Sequence, residues 1–198
     1  RACGTAATPG STLVTLGGAL WRAGVYEIEY GMPLGVVLAM AGGPALAPRA
    51  VLVGGLGGAW LPLPAAADIP FTPEHLRAAG ADGGGVAALT VLPRQACGLV
   101  ETARALGYLA AESAGRCGPC MFGLPAIAAD LTALAGGEGG QEGLMRLHRR
   151  LDVIRGRGAC AHPDGAVALT ASALAVFADD VTRHAAGVPC ACASAPPW

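Results

Sequence analysis

The chain has 198 residues, of which 53 % are hydrophobic and 14 % charged, with a formal net charge of −1. That length holds one large domain or two small ones around a sizeable core, and the composition excludes a disordered, highly charged chain. The near-zero charge leaves no electrostatic footprint for nucleic acid. Gly, Pro and charged residues break every apolar run before membrane-spanning length, so no direct membrane insertion is expected.

Lysine and asparagine are absent, which reads as the codon bias of a GC-rich genome. Arg1 stands where an initiator Met would be, and residues 1–9 resemble neither a signal peptide nor a helix start, so a piece of a longer protein is expected. Seven cysteines, an odd number without a secretion signal, argue against a disulfide framework and for a cytoplasmic setting.

From Ser11 to Pro93 the pattern is mainly that of strands. Leu13, Val14 and Leu16 form a short apolar run that ends at Gly17-Gly18. In Gly24 to Tyr30 a period of two puts Tyr26, Ile28 and Tyr30 on one face and Glu27 and Glu29 on the other. Residues 33–41 fit a short helix closed by Gly42-Gly43 and Pro44. Val51–Val53 and residues 87–92 read as further strands. Two strands, a helix and more strands is a β-grasp order. Trp21 and Trp60 are expected to anchor the core or loops of this part.

Beyond Pro93 the period becomes helical. Leu99, Ala103, Leu106 and Ala110 form one stripe; Leu124, Ile127, Leu131 and Leu134 a second. Leu144, Leu147, Leu151 and Ile154 form a third, and Leu174, Phe177 and Val181 a fourth. Each stripe is one face of an amphipathic helix. The expected architecture is α+β: an N-terminal β-grasp (ubiquitin-like) domain over residues 10–93, a four-helix bundle over 94–187, and a disordered tail over 188–198. Arg146, Arg149 and Arg150 read as the solvated face of the third helix, and His75 and His184 as surface residues.

The chemistry lies in the cysteines. Cys117-Gly118-Pro119-Cys120 falls between two helical stripes, with Pro119 suited to a first helical turn. Both thiols therefore sit at or just before a helix N-terminus, where exposed N–H groups stabilise thiolates and anionic clusters. Cys160 follows the third helix in a Gly-rich turn that can bring it to the same point, and His162 two residues on could add a nitrogen. Cys97 reads as a small buried hydrophobe. Cys190 and Cys192 read as tail residues, although a CxC pair could reach a metal.

The segment Glu112-Ser-Ala-Gly-Arg-Cys117-Gly-Pro-Cys120-Met-Phe-Gly123 resembles E-S-C-G-x-C-x-P-C-R-x-G, a motif of the family to which the NADH-binding flavoprotein subunit of respiratory complex I belongs. Related hydrogenase and formate dehydrogenase subunits share it. Residues 11–43 are similar to that family's soluble-ligand-binding (SLBB) β-grasp domain, and residues 54–60 to its Gly-rich turn. The resemblance covers residues 10–186.

It implies a helical domain that holds an iron–sulfur cluster, 4Fe-4S or 3Fe-4S, through Cys117, Cys120 and Cys160. Ala114 stands at the first ligand position and Met121 replaces the usual Arg, as in a diverged paralogue or fragment. The fourth ligand is left among His162, Cys190, Cys192, water or none.

The resemblance further implies an NADH:acceptor oxidoreductase delivering electrons to quinone or ferredoxin. FMN and NAD would sit only in an upstream half, and a redox partner subunit would carry a ferredoxin-like cluster. Residues 54–58 (GGLGG) follow a strand but lead into Trp60 and prolines, not a helix, so they are rejected as a nucleotide loop.

Three other functions compete. Cys117, Cys120, Cys160 and His162 form a Cys₃His set suited to structural zinc. Cys-Gly-Pro-Cys is also a thiol–disulfide exchange tetrapeptide, here without the preceding βαβ pattern that chemistry uses. A scaffold domain without cofactor, docking partner subunits, is the last.

Overall fold

The computed structural model describes residues 3–81 and 86–190. The chain divides into two compact units between Arg94 and Gln95. Together they are of mixed α and β content.

The first unit is a five-stranded mixed sheet in the order β2-β1-β5-β3-β4. The strands are β1 (Ser11–Gly18), β2 (Gly24–Glu29), β3 (Pro48–Val53), β4 (Ala59–Pro62) and β5 (Ala88–Pro93). β1 and β5 are parallel; the β1/β2, β3/β4 and β3/β5 pairs are antiparallel. In β1, Val14 and Leu16 are buried while Leu13 is exposed, the alternation of a strand with one face on the core. β2 repeats it, with Ile28 buried between exposed Glu27 and Glu29. The core joins these residues to Val51, Val53, Leu89 and Val91 and to Leu34, Val37 and Leu38 of helix α1 (Leu34–Met40). Gly42 and Gly43, at φ 80° and 74°, end that helix in a conformation that other residues resist.

Two elements of this unit are additional to those expected. β4 pairs with β3 and buries Trp60. Helix α2 (Pro73–Ala78) is started by Thr72, whose Oγ1 accepts from the His75 N–H, with Pro73 in the first turn. Trp21 is 70 % exposed and lies outside the core, in a loop where its backbone N–H donates to the Gly43 carbonyl.

The second unit contains α3 (Gly98–Ala111), α4 (Leu124–Ala135), α5 (Gly140–Ile154), α6 (His162–Val176) and α7 (Ala178–Ala185). A π turn over Pro119–Gly123 leads directly into α4. α3 packs against α4 and α6, and α4 against α5. The single fourth helix expected through Leu174, Phe177 and Val181 is two helices, bent by 85° at Phe177. Neither Gly nor Pro stands at the break. Phe177 is 1 % exposed, and its ring lies so close to Gly98 that a Cβ there would be 2.3 Å from it. The bend seats the ring at the start of α3. Among the described residues no single helix is long and apolar enough to cross a membrane.

Arg146 and Arg150 do more than face solvent. Asp130 on α4 is buried, and Arg146 Nε donates to its Oδ1 at 3.0 Å while Arg150 pairs with its Oδ2. Arg150 also donates to the Ala126 carbonyl. The carboxylate thus clamps α5 onto α4. Asp130→Ala is expected to cost about 1–3 kcal/mol. The figure falls below that for a wholly buried pair because the arginines are 42 % and 38 % exposed and can rehydrate. A denaturation midpoint unchanged from the parent would contradict this.

Candidate metal centre

Cys117 lies just before the π turn and Cys120 inside it, with the Met121 N–H donating to the Cys117 carbonyl. Such turns widen the helix by one residue per bond and recur at functional positions. Here the turn presents the two thiols at the positive end of α4. Gly123 lets the end of α5 approach, since a Cβ there would meet Ile154 Cγ1 at 2.8 Å.

That approach delivers the loop between Ile154 and His162. Asp164 accepts from the Gly156 N–H at 2.7 Å and folds the loop back on α6. Gly158 has no room for a side chain, because a Cβ would meet the Cys160 carbonyl at 2.8 Å.

The loop reaches the first two thiols. The Ala159 N–H is the main cause that holds the Cys117 thiol below its ordinary pKa, helped by the Cys120 N–H. Burial raises Cys120, and hydrogen bonding with Cys117 and the charges of Cys117 and Cys160 raise it further. Cys117, Cys120 and Cys160 therefore share one neighbourhood, with Cys120 buried, Cys117 half-buried and Cys160 exposed. Iron-free protein at neutral pH should thus be alkylated faster at Cys117 than at Cys120. Peptide mapping after a short iodoacetamide pulse checks this, and equal labelling would contradict it.

A single tetrahedral ion with bonds of about 2.3 Å holds its sulfurs roughly 3.8 Å apart. Among the described residues these three thiols do not close to within 4.8 Å of one another; Cys97, His184 and Cys190 do. Thiolates at a helix N-terminus, one of them receiving backbone N–H groups, suit an iron–sulfur cluster. Three donors of that kind are present, and Ala114 adds none.

His162 opens α6, and its Nε2 lies 2.9 Å from the Leu109 carbonyl, which leaves Nδ1 as the nitrogen for a metal. Cys190 is no tail residue: it is 5 % exposed and its N–H donates to His184 Nε2 at 3.0 Å. His184 is no surface residue either; it is fully buried against the carbonyls of Leu134 and Ala135. Those carbonyls lie at the far end of α4, roughly 16 Å from its start at about 1.5 Å per residue. Cys190 is therefore too distant to complete the Cys117 group. Cys192 lies outside the described residues. Cys97 is buried as expected, but its Sγ is 3.9 Å from His184 Nε2.

A sheet unit is followed by a helical unit that carries CxxC just ahead of α4 and a third cysteine before α6, the arrangement of an iron–sulfur-binding region. Residues 94–184, most of the helical unit, match the NADH-ubiquinone oxidoreductase-F iron-sulfur binding region. Over 96 % of its length it is 30 % identical to the F subunit of NADH-quinone oxidoreductase from Streptomyces coelicolor and 31 % identical to that from Mycobacterium bovis. It spans 42 % and 43 % of those proteins, less than half their length. Among solved structures, a chain of NAD+-reducing [NiFe]-hydrogenase in the H2-reduced state superimposes with a TM-score of 0.80 at 26 % identity. That match covers 92 % of this chain and 31 % of the hydrogenase chain.

Proposed function

We propose that this chain relays electrons through an iron–sulfur cluster held by Cys117, Cys120 and Cys160, as part of an NADH:acceptor oxidoreductase of the flavoprotein-subunit type. The observation that carries it is the neighbourhood of those three thiols inside the segment that matches the iron–sulfur family. A bound cluster supplies one-electron storage and transfer. The chain's own residues fix where it sits and how its charge is met. The π turn orients Cys117 and Cys120, the Gly156–Cys160 loop brings the third sulfur, and backbone N–H groups stabilise the thiolates. The fourth position has no thiolate from residue 114 or 190; His162 Nδ1, Cys192 or solvent would fill it, or it stays open as in a three-iron cluster. Zinc at the same cysteines is not favoured, given the match to the iron–sulfur binding region.

The sheet order with α1 packed on one face supports a β-grasp domain over residues 10–93, ahead of an iron–sulfur helical domain over 94–187. FMN and NADH would bind to an upstream flavin domain, and a subunit with a ferredoxin-like cluster would take the electrons onward to quinone or ferredoxin. The setting would be cytoplasmic. Anaerobically purified chain should show a broad visible absorption that bleaches on chemical reduction and returns on reoxidation. A colourless product after anaerobic reconstitution would overturn the proposal.

A further inference from the structure

Cys97, His184 and Cys190 form a second cluster that the electron relay does not use. All three are buried, at 1 %, 0 % and 5 % exposure. One ligand atom from each lies within 4.8 Å of the others. Cys97 caps the start of α3, His184 is in the last turn of α7, and Cys190 follows that helix. The Cys97 and His184 positions are 87 residues apart in sequence, so the fold rather than local spacing unites them.

The histidine has the orientation of a metal ligand. Its Nδ1 lies 2.9 Å from the Ala135 carbonyl and 3.2 Å from that of Leu134. Carbonyls only accept, so Nδ1 carries the proton and Nε2 presents a lone pair. Ligating histidines are commonly fixed in this way, by donation of the other ring N–H to a carbonyl. Nε2 faces Cys97 Sγ at 3.9 Å and accepts from the Cys190 N–H at 3.0 Å. An entering ion would take the place of the Cys190 N–H at Nε2 and draw in the Cys190 sulfur.

We propose that these residues form a mononuclear site for a thiophilic divalent cation of the Zn2+ class. Two thiolates and one neutral imidazole are donors of the kind zinc takes in tetrahedral sites. Binding releases two protons, one from each thiol, and the two thiolate charges neutralise the ion in a buried setting. The bound ion clasps the segment after α7 to the N-terminus of α3. The site is independent of the proposed cluster, which lies at the other end of α4.

Two measurements on the full chain test it. The first is metal content by elemental analysis of anaerobically prepared protein grown with zinc. About one zinc per chain is expected beside the iron, falling to near zero in Cys190→Ala with iron unchanged. Zinc retained in Cys190→Ala, or no zinc in the parent, would count against the site.

The second is a Co2+ titration of the Cys117→Ser, Cys120→Ser, Cys160→Ser variant, in which the cluster site is disabled. One equivalent with thiolate-to-cobalt absorption is expected. Adding His184→Ala should weaken binding at least about tenfold. A folded variant that binds no cobalt, or binds it equally without His184, overturns the proposal in favour of a hydrogen-bonded core histidine.

Discussion

Gly98→Ala is expected to destabilise the helical unit by about 3 kcal/mol, an overpacking cost at the upper end of the usual range. The added methyl would stand 2.3–2.4 Å from three ring carbons of Phe177. That ring cannot swing away, because it is 1 % exposed and occupies the bend between α6 and α7. Either α3 shifts or the bend opens, and both disturb the neighbouring Cys97 and Val181. Gly107→Ala is the control, since nothing lies within 4 Å of its Cβ position. It is also helical, so it should stabilise by about 0.5–1 kcal/mol. Chemical denaturation followed by far-UV circular dichroism compares the two. Equal midpoints would show that the Phe177–Gly98 contact does not set the bend.

The second large effect concerns the cluster. Cys120→Ala is expected to abolish iron binding at the Cys117 group, because Cys120 is the buried member and sits within the π turn. Cys160→Ala should reduce iron content strongly but leave the helices folded, since Cys160 is exposed in a loop. His162→Ala should have the smallest effect of the three, as its Nε2 contact is to the Leu109 backbone. Iron and sulfide assays on anaerobically reconstituted variants check this order. Iron content in Cys120→Ala equal to that of the parent would remove Cys120 from the ligand set.

Much of this was legible in residue patterns because it is local. The alternation in Gly24–Tyr30 needs only its own neighbours, as do the Gly42-Gly43 stop and the Cys-Gly-Pro-Cys helix start. α2 had its local signal as well, in Thr72 followed by Pro73, though six residues are too few to show a helical period.

What escaped depends on distant partners. Arg146 and Arg150 look like a solvated stripe until Asp130 appears on the neighbouring helix. His184 lies in a polar stretch and is buried because α4 offers it two carbonyls. The break at Phe177 has no sequence marker, since its cause is the bare surface of Gly98 in another helix. β4 is four residues long and gains its identity from pairing with β3. The Cys97–His184–Cys190 group was invisible for the same reason.

The electron-relay role is tested most directly by iron and acid-labile sulfide analysis, with electron paramagnetic resonance, on anaerobically prepared chain before and after reduction. About three to four irons per chain are expected, with matching sulfide and a paramagnetic cluster signal in one of the two states. Loss of both in Cys117→Ser should accompany it. Protein without sulfide after reconstitution, carrying zinc alone or no metal at the Cys117 group, would contradict it.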